Sequence, residues 1–105
     1  MTLRSDPALQ MVSIATKAGK VKSGEFAVEK SIKEGTAFLV LVAGDASENT
    51  KKNFTEMCNY RDIPCIIYKD SEALGGSCGK PFRMSVAICD RGLAETINDK
   101  ISGAI

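Results

Sequence analysis

The chain has 105 residues, of which 44% are hydrophobic and 26% are charged, and its formal net charge at pH 7 is +1. This length and composition predict one globular domain over residues 1–105 and exclude a polycation that binds partners through bulk charge. No apolar run reaches the ~20 residues of a membrane span and residues 1–10 lack a signal-peptide core, so we expect a cytoplasmic protein without a membrane partner.

The first predicted elements are a helix and a very short strand. Ser5-Asp6-Pro7 places a capping residue before a proline at the first helical position, and the helical pattern runs to Ala18. Gly19 ends that pattern, because a residue free to adopt positive φ is favoured there. Residues 20–22 then alternate Lys, Val, Lys, which predicts a half-buried strand.

A second helix is predicted from about Glu25 to Glu34. Ser23 is its candidate N-cap, and Gly35 is placed to end it. At 100° per residue, the helix has two opposite faces. The core-facing side is predicted to carry Val28, Ser31 and Ile32, and the outer side Phe26, Lys30 and Lys33.

The outer side of this second helix is the candidate functional surface. It combines an aromatic ring and lysines with the unpaired N–H groups and partial positive charge of a helix N-terminus. Such a surface suits the phosphates and acceptor-rich base edges of folded RNA. The alternative is that Phe26 packs under a neighbouring loop and that the lysines are only solvated.

The rest of the chain continues the alternation of strands and helices. Residues 37–44 form an apolar run that predicts a central strand covered on both faces. The further predicted elements are a helix over 48–60, a strand over 64–68, a helix over 71–74 that Gly75-Gly76 cuts off, a strand over 84–89 and a helix capped by Asp90. This order predicts an α/β protein, a three-layer α/β/α sandwich around a four-stranded sheet.

The composition argues against a metal site and against catalysis. The chain has four cysteines, none spaced as C-x-x-C, and no histidine. Histidine is also the usual partner of a serine or cysteine nucleophile and the usual general base near neutral pH. We therefore expect no metal, no cofactor and no enzymatic activity.

Three segments resemble a known family. They are ATKAGKVKSGEFAVEKSIKEG at residues 15–35, LVLVAGDASENTKK at residues 39–52 and ALGGSCGKPFRMSVAICD at residues 73–90. Their order and spacing resemble the kink-turn RNA-binding ribosomal protein family of the L7Ae/L30e type, and within it the small bacterial YlxQ-like members. The resemblance covers about residues 9–97 and implies an L30e-like fold with a mixed sheet.

The resemblance also implies a function, namely non-catalytic binding of rRNA or another kink-turn-like RNA in a ribonucleoprotein. In the family, the start of the second helix enters the widened major groove at tandem G·A pairs, and a nearby loop shelters a flipped-out base. Gly24 matches the family's turn glycine, Lys20 its strand lysine and Lys30 its helix lysine. The full set of expected RNA-binding residues is Lys20, Lys22, Gly24, Glu25, Phe26, Lys30, Lys33, Lys80, Pro81, Phe82 and Arg83.

The sequence departs from its archaeal and eukaryotic relatives at two positions. Those relatives usually carry asparagine and glutamate, which hydrogen-bond the guanines, where this chain has Phe26 and Ala27. Alanine forms no such bond, and the loss of a bidentate base contact costs about 1–3 kcal/mol of discrimination. Glu25 would also compete with phosphate for the helix N-terminus, while Phe26 could stack on a base.

Two other functions compete with RNA binding. A protein-interaction module that kept the fold but lost the RNA site would use Phe26 and Ala27 as an apolar patch. A nucleotide-dependent enzyme would use the glycines of residues 74–80, but that segment matches neither phosphate-binding glycine motif and follows a helix instead of a strand. We expect the chain to act as a monomer that binds structured RNA, with the ribosome as a candidate site of action.

Overall fold

A computed structural model describes residues 6–103, and within that range the chain alternates five helices with four strands. The helices are α1 (Pro7–Lys17), α2 (Glu25–Glu34), α3 (Glu48–Tyr60), α4 (Ser71–Ser77) and α5 (Arg91–Ser102). The strands are β1 (Val21–Ser23), β2 (Leu39–Val42), β3 (Cys65–Ile67) and β4 (Ser85–Ile88). The predicted order of elements is confirmed, and Ser5, part of the predicted helix start, lies outside the described residues.

The four strands form one mixed sheet in the order β1-β4-β2-β3. Strand β4 is antiparallel to both β1 and β2, whereas β2 and β3 are parallel. Helices α1, α4 and α5 cover one face of the sheet, and α2 and α3 cover the other. The predicted α/β/α sandwich is therefore confirmed.

The central strands explain why the sequence shows a continuous apolar run. Every residue of β2 and β4 is buried. Side chains alternate between the two sides, so that Leu39 and Leu41 belong to the cluster under α1, α4 and α5, while Val40 and Val42 belong to the cluster under α2 and α3. A strand covered on both faces needs apolar residues at every position.

The predicted end of the fourth helix at Gly75-Gly76 is wrong, because α4 continues through both glycines to Ser77. A methyl group at Gly75 would overlap the backbone of Phe82, which crosses the helix at that point. The glycine therefore permits a close approach of two chain segments. This packing outweighs the cost of about 1 kcal/mol that glycine carries in a helix.

The predicted N-cap of the second helix is also wrong by one residue. Gly24 is the N-cap of α2, with φ +95° and ψ +152°, a conformation that favours glycine. Ser23 instead ends β1, where it pairs with Val86 of β4. Ser23 therefore belongs to the sheet and not to the helix. The hydroxyl of Ser23 is available for another contact.

Candidate functional site

Strand β1 and the residue before it carry two lysines. Gly19 turns the chain with φ +74°, and the N–H of Lys20 donates to the carbonyl of Ala15 across the end of α1 (2.9 Å). Lys20 then accepts a hydrogen bond from the N–H of Cys89 (2.7 Å). Lys22 pairs with Ala87, which belongs to the cluster under α2 and α3. Because side chains alternate along a strand, Lys20 and Lys22 lie on the sheet face that α2 covers.

Helix α2 presents the faces that its periodicity predicts. Val28 and Ile32 are fully buried and Ser31 is 4% exposed, so these residues hold the helix against the sheet. Phe26 is 85% exposed. Lys30 and Lys33 are exposed as well. The prediction of two faces is confirmed, and the alternative that Phe26 packs under a loop is wrong.

A groove of about 570 Å³ lies between β1 and α2. Lys20 and Lys22 line its strand side, and Phe26, Ala27 and Lys30 line its helix side. A second depression of about 290 Å³ runs along the outer side of α2 and shares Phe26 and Lys30 with the groove. The Phe26 ring therefore borders both depressions, with lysines on each side.

The N-terminus of α2 opens beside this groove. The first hydrogen bond of the helix runs from the N–H of Val28 to the carbonyl of Gly24, and Gly24 has no side chain that could cap the earlier N–H groups. These groups carry the partial positive charge of the helix dipole. Glu25 in the first turn adds a negative charge that offsets part of it.

The segment 79–83 approaches the same helix start from the other side. Arg83 holds it there, because its Nε donates to Ser23 Oγ (3.1 Å) and its guanidinium also donates to the carbonyl of Phe82 (2.8 Å). The Arg83 N–H donates to the carbonyl of Ser71 at the start of α4 (2.9 Å). Arg83 thus links three segments, while Lys80 and Phe82 remain exposed to solvent.

The lysines at this surface differ in their pairing. Lys33 forms a salt bridge with Glu29 one helical turn away (2.8 Å), which neutralises part of its charge. Among residues 6–103, Lys20, Lys22, Lys30 and Lys80 form no ion pair. Their charges are therefore free to meet phosphate groups from solution.

The structure adds groove residues that the expected set of RNA-binding residues does not include. Ala27, Ser31 and Glu34 line the groove from the helix, and Thr36 and Cys89 line it from neighbouring segments. The spacing of 27, 31 and 34 follows one helical row, so the helical period alone could have shown that they share a side of α2. Cys89 comes from the far end of the sequence, and only the pairing of β1 with β4 places it here.

The acidic residues and cysteines of the described range bear on metal binding and on nucleophilic chemistry. Within residues 6–103, no three side chains of Cys, Asp or Glu cluster in a way that could hold a metal ion. The neighbouring Cys65 thiol and burial raise the pKa of Cys58, and burial raises the pKa of Cys78. A raised pKa disfavours the thiolate that a cysteine nucleophile requires. The pKa of Cys65, by contrast, is lowered by its hydrogen bond with Cys58.

No helix of the described range is long and apolar enough to cross a membrane.

Comparison with known proteins identifies relatives along most of the chain. The "RNA-binding protein YlxQ" of Bacillus subtilis is 41% identical over 87 residues, which cover 83% of this chain and 87% of the relative. The "Large ribosomal subunit protein eL8" of Thermoplasma volcanium is 31% identical over 102 residues, covering 96% of this chain and 84% of the relative. A solved structure from Bacillus halodurans, described as a protein with unknown function, has a TM-score of 0.89 at 27% identity and covers 92% of this chain and 98% of its own.

These relatives agree with a family model that spans the whole sandwich from α1 into α5. The model of the Ribosomal protein L7Ae/L30e/S12e/Gadd45 family matches residues 7–97. That range includes β1, α2 and the segment 79–83, which together form the surface described above. The chain belongs to the Ribosomal protein L7Ae/L30e/S12e/Gadd45 family.

Proposed function

We propose that the protein is a non-catalytic RNA-binding protein that acts as a monomer in the cytoplasm, in association with the ribosome. Its RNA is a kink-turn or a related structured element, held between the start of α2 and the segment 79–83. One observation carries the proposal: Lys20, Lys22 and Lys30 line a single groove whose edge bears the exposed ring of Phe26.

The positions of the charged side chains support this proposal better than the net charge of the chain does. A net charge of +1 gives little general attraction to nucleic acid. Lysines that form no ion pair within residues 6–103 line one groove beside the uncapped N-terminus of α2, and they provide a local site for phosphates instead. The aromatic ring in the same place offers a surface for a base.

The segment 79–83 completes the proposed interface. Phe82 is 58% exposed and Lys80 is exposed, while Arg83 ties the segment to the end of β1. We assign Lys80 to a phosphate contact and Pro81 and Phe82 to an apolar cover for a flipped-out nucleotide. Arg83 positions this cover relative to Gly24, and part of its hydrogen-bonding capacity is already used within the protein.

The relatives support the same class of function. One is called an RNA-binding protein and another is called a protein of the large ribosomal subunit. Each aligns with most of this chain, so the candidate surface falls within the shared region. We extend RNA binding from them to this chain as a proposal.

A titration of two matched RNA hairpins tests the proposal. One hairpin contains a kink-turn, and in the other the tandem G·A pairs are changed to Watson–Crick pairs, with both measured by fluorescence at one moderate salt concentration. The proposal predicts saturable binding and a preference for the kink-turn hairpin. Equal binding to both would contradict the kink-turn assignment, and the absence of binding to either would contradict RNA binding.

The exposure of Phe26 and Phe82 also favours a second candidate, a protein-interaction module. Phe26 lies in the first turn of α2, and Phe82 precedes Arg83, whose side chain bonds to the end of β1, so an exposed ring from either segment could enter a groove of a protein partner. Pull-downs with and without nuclease treatment separate the two functions. Partners that are retained after nuclease treatment, and lost on Phe26→Ala, would favour the protein-interaction module.

A further inference from the structure

Phe26 is the most exposed large hydrophobic side chain of the described residues, at 85%. Tyr60 is similarly exposed at 84%, but the guanidinium of Arg61 lies over its ring, 5.4 Å from the centroid. Within residues 6–103, no cation or aromatic ring lies over Phe26. Its faces are therefore open to a partner from solution.

The surroundings of Phe26 fit a nucleotide in size and charge. The groove of about 570 Å³ beside the ring falls within the range of about 300–1,000 Å³ found for small-ligand sites. Lys20 and Lys22 stand across the groove from the ring, and Lys30 stands one turn further along α2. A flat apolar ring between cationic side chains matches a base with phosphates on either side.

We propose that Phe26 is a stacking platform for one unpaired base of the bound RNA, whose flanking phosphates lie against Lys20, Lys22 and Lys30. This inference rests on the proposed function and narrows it, since it makes an accessible unpaired base the feature that the site recognises. Stacking requires only the π-face of a base, so the site tolerates different bases at this position.

The neighbouring residue favours stacking over hydrogen-bond readout. Ala27 lines the groove next to Phe26 and offers no donor or acceptor from its side chain. A protein surface in place of the base would have to bury lysines, which are depleted at the cores of protein interfaces. Among macromolecular ligands, RNA with an unpaired base is therefore the better match to this groove.

Acidic side chains limit where the RNA backbone can lie. Glu34 lines both depressions at the C-terminal end of α2, and Glu29 is paired with Lys33. Glu34 and Glu25, in the first turn of α2, repel phosphates, whereas Lys20, Lys22 and Lys30 attract them. We therefore expect the RNA backbone to follow the three lysines of the groove.

The test is a double-mutant cycle between the protein and the RNA. Three hairpins share one stem: the first has a single bulged uridine, the second has an abasic residue at the bulge, and the third is fully paired. Each is titrated with the wild type, with Phe26→Ala and with Phe26→Tyr. Tyr60→Ala is the matched control, because it removes an equally exposed ring on α3.

The wild type should prefer the bulged hairpin, and Phe26→Ala should weaken that complex about 5- to 150-fold. Binding to the abasic hairpin should be equally weak for the wild type and for Phe26→Ala, because the base and the ring contribute only as a pair. Phe26→Tyr should keep the affinity, and Tyr60→Ala should leave it unchanged.

Two results would overturn the inference in distinguishable ways. If all three hairpins bind the wild type and Phe26→Ala equally, RNA binding stands but the stacking platform is wrong. If no RNA binds the wild type, neither the bulged hairpin nor the kink-turn hairpin, the proposed function fails as well. Thermal unfolding of each variant verifies that an altered affinity does not come from an altered fold.

Discussion

At the scale of single residues, Lys30 shows how a candidate RNA-binding side chain can be separated from the core that carries it. It is exposed, has no ion-pair partner among residues 6–103 and stands two positions before the fully buried Ile32. We expect Lys30→Ala to weaken RNA binding while changing the free energy of unfolding by no more than about 0.5 kcal/mol. RNA titration and chemical denaturation measure the two effects.

Arg61→Ala is the control for that substitution, because Arg61 is an exposed cation next to the C-terminal end of α3. It should leave the affinity for RNA unchanged. Equal losses of affinity in the two variants would show that the protein binds RNA through general charge and not through the groove.

Ile32 is expected to behave in the opposite way. It is fully buried in the cluster under α2 and α3, so Ile32→Ala should lower the free energy of unfolding by about 2–5 kcal/mol. Ile14 carries the same side chain but is 53% exposed, and Ile14→Ala should cost about 0.5 kcal/mol or less. Similar losses in the two variants, measured by urea denaturation, would contradict the assigned faces of the helices.

Asp6 is a buried carboxylate with a structural role. It caps α1 by accepting a hydrogen bond from the N–H of Leu9 (3.0 Å), accepts another from the hydroxyl of Tyr68 (2.9 Å), and lies 3.4 Å from Lys69 Nζ. Burial tends to raise the pKa of Asp6, but these two hydrogen bonds and the charge of Lys69 outweigh it and hold the pKa below the ordinary value of 3.8. Burial and the hydrogen bond to Asp6 raise the pKa of Tyr68 to about 12.

This arrangement predicts a defined loss of stability in acid. Because the pKa of Asp6 is lower in the folded state, its carboxylate stabilises the fold above the ordinary value and loses that effect as the pH falls through the folded value. The free energy of unfolding should therefore decrease from about pH 5 downward. Asp6→Asn should be less stable at neutral pH and should show a shallower decrease, and an unchanged slope would contradict the role of Asp6.

At the scale of elements, the two adjacent glycines of α4 offer a matched pair of tests. Gly75→Ala should cost about 1–3 kcal/mol of stability, because its methyl group would overlap the backbone of Phe82. Gly76 has no atom within 4 Å of the position of an added Cβ, so Gly76→Ala should stabilise α4 by up to about 1 kcal/mol. Thermal unfolding compares them, and a stabilising Gly75→Ala would disprove the close approach of the two segments.

The Gly75 contact also connects stability to the candidate site. A displaced Phe82 would move the segment 79–83, which Arg83 ties to the end of β1. Gly75→Ala should therefore also weaken RNA binding, whereas Gly76→Ala should not.

The elements themselves could be predicted from local signals. Proline after Asp6 marks the start of α1, Gly35 marks the end of α2 with φ +78°, and the apolar run over 37–44 marks a central strand. Two predictions were wrong, the N-cap of α2 and the end of α4. They share a cause, since both features depend on contacts between distant segments. Ser23 is held in the sheet by pairing with β4, and Gly75 lies under the backbone of Phe82.

At the scale of the whole molecule, a small net charge coexists with a concentrated cationic groove. If Lys20, Lys22 and Lys30 of the groove and Lys80 each neutralise one phosphate, the logarithm of the binding constant should fall with the logarithm of salt with a slope of about −3 to −4. Lys30→Ala should flatten that slope by about 0.7–0.9. Titrations over a series of salt concentrations measure it, and a flat response in the wild type would contradict phosphate contacts.

The candidate site was only partly accessible from the sequence. The helical period placed Phe26 and Lys30 together on the outer face of α2, and the family resemblance added Lys20 and residues 80–83. The groove itself depends on how β1 lies beside α2, and the structural role of Arg83 depends on a hydrogen bond between residues 60 positions apart. Neither relation leaves a signal in a single sequence.

The most direct test of RNA binding at this surface is a map of amide chemical-shift changes in the ¹⁵N-labelled protein on addition of the kink-turn hairpin. We expect the shifted amides to lie in β1, in the first two turns of α2 and in residues 79–83. The chemical shifts of the amides around Tyr60, Arg61 and Arg91 should not change. Chemical-shift changes confined to the amides around these three residues, or no changes at all, would contradict the assignment of the RNA site.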